Sequence, residues 1–247
     1  TGPVSVIAHF TQDEYALTWD VDPSGSGTVA LNVTGPYHFG DGVKLTAEAD
    51  PGWTFAEWTG DFTGTANPLE ISITGPVSVI AHFTQDEYAL TLTIVGNGVV
   101  NRDKSGPYHY GDVVQLTAVP DAGWSFSGWS GDMSGSINPD SITINGNKDV
   151  TATFTKKSST QLIQELIEKI ERYKGSEINN NGIANSLIVK LEAAKAQLDS
   201  GNTKAAANIL KAFINHVEAQ HGKKNKHIAD DAAVELIEDA ENILDQL

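Results

Sequence analysis

Not one of the 247 residues is cysteine, which excludes disulfide staples and thiolate metal centres and leaves the compartment open on that count. Methionine occurs once, at Met133, so Thr1 is expected to be a processed or excised end and not a translation start. No apolar run approaches the roughly 18 to 20 residues of a membrane span, and nothing at the start reads as a signal peptide. Positive charge is scarce, with 16 Lys+Arg against 32 Asp+Glu and a net charge of -16. The scarcity is local: residues 1–155 hold 18 acidic and 4 basic side chains, net -14, whereas residues 156–247 hold 14 and 12, net -2. Such a field repels phosphate backbones and anionic lipid surfaces, so nucleic acid is not an expected partner. Also absent are a Gly-x-Ser-x-Gly elbow, a phosphate loop and a His-Glu-x-x-His run. Neither an enzyme, nor a cofactor, nor a metal centre is expected.

What the chain does have is repetition. TGPVSVIAHFTQDEYALT, residues 1–18, returns unchanged as residues 74–91, and a related strand returns as DVTATF, residues 149–154. Three strands of one kind flank two bodies, so one strand is spare. If each body is closed from its own C-terminal side, Val4–Phe10 is left over; if from its N-terminal side, Val150–Phe154 is.

Each body is expected to open on a hairpin. Tyr15–Val21 turns through PSGSG into Thr28–Val33, and Tyr88–Val95 turns through GNG into Val99–Val100. Leu90, Leu92 and Ile94 alternate with Ala89, Thr91 and Thr93, the period of two of a half-buried strand. GPYHFGDGVKLTA from Gly35 and GPYHYGDVVQLTA from Gly106 place a Gly-Asp turn before a strand. PGWTFAEWTGD from Pro51 and AGWSFSGWSGD from Ala122 supply the aromatic residues, and each body closes through Asn-Pro and a short glycine turn. The period is 71 to 73 residues. The run of Gly-Asp-x-Val-x-Leu-Thr-Ala, Gly-Trp-x-Phe-x-x-Trp-x-Gly-Asp and closing Val-Thr-Ala-x-Phe resembles the divergent internalin-B-type B-repeats of bacterial and archaeal surface proteins. That resemblance implies compact, β-grasp-like modules strung in series as stalk, spacer or adhesive elements.

Trp53, Trp58, Trp124 and Trp129 recur at matching places in both bodies, where a small sheet needs bulky core residues, and core packing is their expected role. Trp19 has Leu92 as its counterpart and is a candidate contact, as is Tyr108 if aromatic residues meet a polysaccharide. Asp61 and Asp132, in Trp-x-Gly-Asp turns, are expected to cap backbone N–H groups, since no string of oxygen ligands surrounds them. His38 and His109 have no Cys or His neighbour at ligand spacing and are expected to be ordinary strand histidines.

Glycine and aromatic residues thin out after Lys156, and leucine, alanine, glutamate and lysine take over. Four amphipathic helices are predicted: from the Ser158–Thr160 caps to about Tyr173, to about Asp199, from Thr203 to about His221, and a last one carrying Leu236, Ile237, Ala240 and Ile243. The run NNGIANSLIVKLEAAKAQLDSGNTKAAANILKAFINHVEAQHGK is similar to the FIMAH domain, which implies an attachment or assembly module of secreted proteins and no known reaction. Lys223, Lys224 and Lys226, between the last two helices, are candidate contacts for an acidic partner.

The expected architecture is therefore β then α: a spare strand in residues 1–11, a β-repeat in 12–84, a second in 85–155, and an antiparallel helical bundle in 156–247. The expected function is that of a non-enzymatic, extracellular or cell-surface stalk or filament subunit. It would self-associate head to tail through strand donation by Val4, Val6, Ala8 and Phe10. The alternative is the wall- or carbohydrate-binding end of a larger secreted hydrolase or adhesin.

Overall fold

The computed structural model describes residues 2–221 and 227–247. Two compact units emerge: Thr1–Thr93 with Val100–Ala118 and Trp129–Ala152, and Ile94–Val99 with Val119–Gly128 and Thr153–Leu247. The first repeat lies wholly in the first unit, and the four helices lie in the second.

Repeat 1 is built from β1 (Leu17–Asp22), β2 (Gly27–Leu31), β3 (Gly42–Ala49), β4 (Trp53–Gly60), β5 (Leu69–Ser72) and β6 (Val77–Gln85). They form two three-stranded sheets, β1-β6-β4 and β2-β3-β5. The alternation read from the sequence decides which face is buried: Val43, Leu45 and Ala47 of β3 and Val77, Val79, Ala81 and Phe83 of β6 point inward, with Trp58 fully buried among them. Phe55 fills the remaining space, its ring 5.3 Å from Trp58 and 5.7 Å, edge-on, from Phe83. The hairpin expected at the start of each body does not form: β1 pairs with β6 and β2 with β3, so the PSGSG turn carries the chain from one sheet to the other, and Gly27 after it lies so close to Glu48 O and the Phe83 ring that no Cβ fits.

Repeat 2 repeats the order with β7 (Leu90–Val95), β8 (Gly98–Arg102), β9 (Val113–Pro120), β10 (Trp124–Gly131), β11 (Asp140–Thr143) and β12 (Lys148–Lys156), in sheets β10-β12-β7 and β11-β9-β8. No helix interrupts either repeat among the described residues.

The helices are α1 (Ser159–Tyr173), α2 (Asn181–Asp199), α3 (Thr203–His221) and α4 (Asp230–Leu244). Ser158 caps α1 in a reciprocal capping box with Gln161, and Asn180 caps α2 by accepting from the N–H groups of Gly182 and Ile183. Each helix packs on the next and α4 returns to α1. Their core holds Ile163, Leu166, Ile170, Leu187, Leu191, Leu210, Phe213, Val217 and Leu236. On α1 Ile163 is fully buried, and its neighbour Leu162 packs only partly. Both lie within the roughly 100° apolar arc of an amphipathic helix, which spacing alone does not divide further.

Candidate functional site

β6 and the N-terminal segment have the same sequence and opposite fates. β6 is the central strand of its sheet, parallel to β1 with Leu17 opposite Val77 and Asp22 opposite His82, and antiparallel to β4 from Trp53 opposite Gln85 to Gly60 opposite Val79. The same residues 73 positions earlier form no strand, correcting the expectation of one there. Val4 is 88 % exposed where Val77 is 7 %, Val6 is 88 % where Val79 is buried outright, and Phe10 is 92 % where Phe83 is 5 %. Ala8 is exposed too, and Ala81 is not.

Topology supplies the reason. β12, like β6, stands at the centre of its sheet, so both repeats take their closing strand from their own C-terminal side and Val4–Phe10 is the spare one. Nor can that segment close the repeat it precedes. The central position runs parallel to β1, and a parallel neighbour needs a crossover of about a dozen residues or more, whereas only residues 11–16 separate Phe10 from β1. The site is thus an exposed segment that has the sequence of a closing strand and no place in its own body.

The remaining candidates separate cleanly. Tyr108 is 2 % exposed and its hydroxyl donates to Lys104 O at 3.0 Å, so its ring is a core element and not a ligand platform. Its counterpart Tyr37 is buried likewise and donates to Val33 O. Trp19 stands 45 % exposed on β1. Lys223, Lys224 and Lys226 lie outside the described residues. Among the core tryptophans, Trp58 and Trp129 are buried, while Trp53 and Trp124 are only half-buried. Asp61 and Asp132 accept from the backbone N–H of Ser78 at 2.8 Å and Asp149 at 2.7 Å, the capping role expected of them. The backbone N–H groups of His38 and His109 donate to Asp41 and Asp112 in the Gly-Asp turns.

Two devices escaped the sequence reading. Asn67 and Asn138 each behave as a backbone substitute: the Asn67 side chain accepts from Ala47 N at 2.9 Å and donates to Ala47 O at 2.8 Å, and Asn138 does the same to Ala118 at 2.8 and 2.7 Å. Their recurrence before proline was visible as a turn signal, but nothing in the sequence says what a turn asparagine bonds to. The other is a polar cluster on the helices. Lys169 bridges Asp239 at 2.6 Å and Glu235 at 3.4 Å, and the Tyr173 hydroxyl donates to Glu235 at 2.5 Å. The Tyr173 hydrogen bond, and then Lys169, hold the Glu235 carboxyl below its usual value. Burial opposes the charge on Lys169, yet its bonds to Asp239 and Glu235 hold it above its ordinary value.

Comparison with family models matches residues 17–87 and 88–158 to the divergent InlB B-repeat domain and residues 163–245 to the FIMAH domain. A search of curated proteins finds no match. Among the described residues no helix is long and apolar enough to cross a membrane.

Proposed function

From the premise that this chain belongs to the divergent InlB B-repeat family, carries a FIMAH domain behind its two repeats and is a modular surface-associated protein, we propose that it is a non-catalytic, extracellular structural element that joins head to tail through its N-terminal segment. In this reading Val4–Phe10 is a closing strand offered to a repeat body other than its own. The observation that carries it is the contrast between one sequence buried at the centre of a sheet at 77–83 and exposed at 4–10. A body that receives the segment in the position of β6 would bury Val4, Val6, Ala8 and Phe10 on the core side and satisfy both edges of the strand. Because β6 and β12 already fill the central positions of this chain, the acceptor is a body whose own closing strand is missing or displaced. Addition at an outer edge would leave the apolar face of the segment without a core. The acidic repeats give copies a mutual repulsion that keeps association dependent on this fitted contact.

Light scattering on the full chain, on a form lacking residues 2–11 and on Val6→Asp tests the reading, each alone and mixed with Val79→Asp chains whose own β6 is disabled. Assembly of the full chain, alone or with the Val79→Asp acceptor, that both N-terminal changes abolish is the expected result. Assembly that survives Val6→Asp, or hydrogen exchange that stays unprotected at Val4–Phe10 in every mixture, overturns it.

A further inference from the structure

Each repeat projects the same Asp-x-Gly-Trp turn between its third and fourth strands, and the two copies have different surroundings. In both, the tryptophan N–H donates to the aspartate carbonyl at 3.0 Å, and the glycine has positive φ, +84° at Gly52 and +77° at Gly123. In both, the glycine carbonyl also accepts from the chain leaving the repeat, from Asp86 N and from Lys157 N, at 2.8 Å. Gly52 lies directly against Tyr110, so that no side chain would fit there. Gly123 has open space: a Cβ on it would meet only the Gln246 amide nitrogen, at 4.0 Å. What lies beside Gly123 is a cleft of about 670 Å³, walled by this turn with Trp124, by Lys157, and by residues of α1 and α4. Its volume is that of a small-ligand site.

The walls say what would fit. Lys157 is paired to Glu165 at 2.7 Å, and Lys169 to Asp239 at 2.6 Å, so these charges neutralise one another and stiffen the cleft. No ion pair or side-chain hydrogen bond involves Asp121, Arg172, Asn242 or Gln246 among the described residues. They line the same cleft as the half-buried Trp124 and bring to it a carboxylate, a guanidinium and two amides. Neither sign of charge dominates, which disfavours a simple ion. An aromatic face with several donors and acceptors at its margin suits a ring with one C–H face and a rim of hydroxyls.

We propose that this cleft, between the Asp121–Trp124 turn and helices α1 and α4, binds a neutral saccharide, one pyranose packing against Trp124 and its hydroxyls meeting Asp121, Arg172, Asn242 and Gln246. It is independent of the N-terminal segment, and a chain without residues 2–11 retains it. The test uses the full chain with cellotetraose, maltotetraose and chitotetraose at millimolar concentration, followed by saturation-transfer NMR and by tryptophan fluorescence. At least one of the three gives transfer, and Arg172→Ala and Trp124→Ala each weaken its binding by about tenfold or more, whereas Trp19→Ala leaves it unchanged. Arg172 is exposed on α1, so its variant folds, and circular dichroism verifies this for both. Failure of all three sugars to bind, or binding that follows Trp19 and not Arg172, overturns the assignment.

Discussion

Asn67 and Asn138 extend the edge of β3 and β9 by one rung each, with side-chain amides in place of a strand. Removing one such amide deletes two hydrogen bonds and leaves an alanine N–H and C=O unsatisfied at the margin of the core. Asn67→Ala is therefore expected to destabilise repeat 1 by about 2 kcal/mol, read as a lower urea midpoint with unchanged m-value. Glu235 gives a second prediction at this scale. Its carboxyl is held low in the folded chain by Tyr173 first and Lys169 next, so the stability it contributes is complete above the ordinary glutamate pKa and is lost as pH falls through the lowered folded value. Thermal melts of the helical module between neutral and acid pH are expected to show that loss, and Glu235→Gln to flatten it. These residues also show where sequence reading stops. The buried alternation of β3 and β6 and the capping Ser158 follow from period and local chemistry, because each acts within its own turn or strand. The partners of Asn67 and of Lys169 lie 20 and about 70 residues away, and no local pattern encodes them.

At the scale of the element, the duplicated stretch provides an internal control. Val6 and Val79 have the same neighbours in sequence, and only the sheet distinguishes them. Val79→Ala is expected to cost about 2 kcal/mol through lost burial and the cavity left behind. Val6→Ala is expected to stay within about 0.5 kcal/mol in the isolated chain. Parallel denaturation curves check both. The sequence left two choices for the spare strand, since composition cannot tell which neighbour a strand joins. Register decides it, through the parallel pairing of β1 with β6. Tyr108 shows the opposite failure: an aromatic residue beside a turn reads equally well as a surface platform or as a plug, and burial settles it as a plug.

For the whole molecule, the strand order decides how a repeat responds to tension along the chain. The chain enters repeat 1 at the Leu17 end of β1 and leaves at the Gln85 end of β6, and these two strands run parallel. Tension applied through the two ends is therefore directed along the strands in opposite senses. It loads the ladder between residues 17–22 and 77–82 in shear, and the rungs must fail together. A hairpin pulled at its open end would unzip one rung at a time. Forced unfolding is governed by the barrier and not by equilibrium stability, so in single-molecule pulling repeat 1 is expected to rupture at markedly higher force than the four helices, whatever their order of melting on heating. The parallel pairing that bars the N-terminal segment from its own repeat thereby makes that repeat a mechanical clamp.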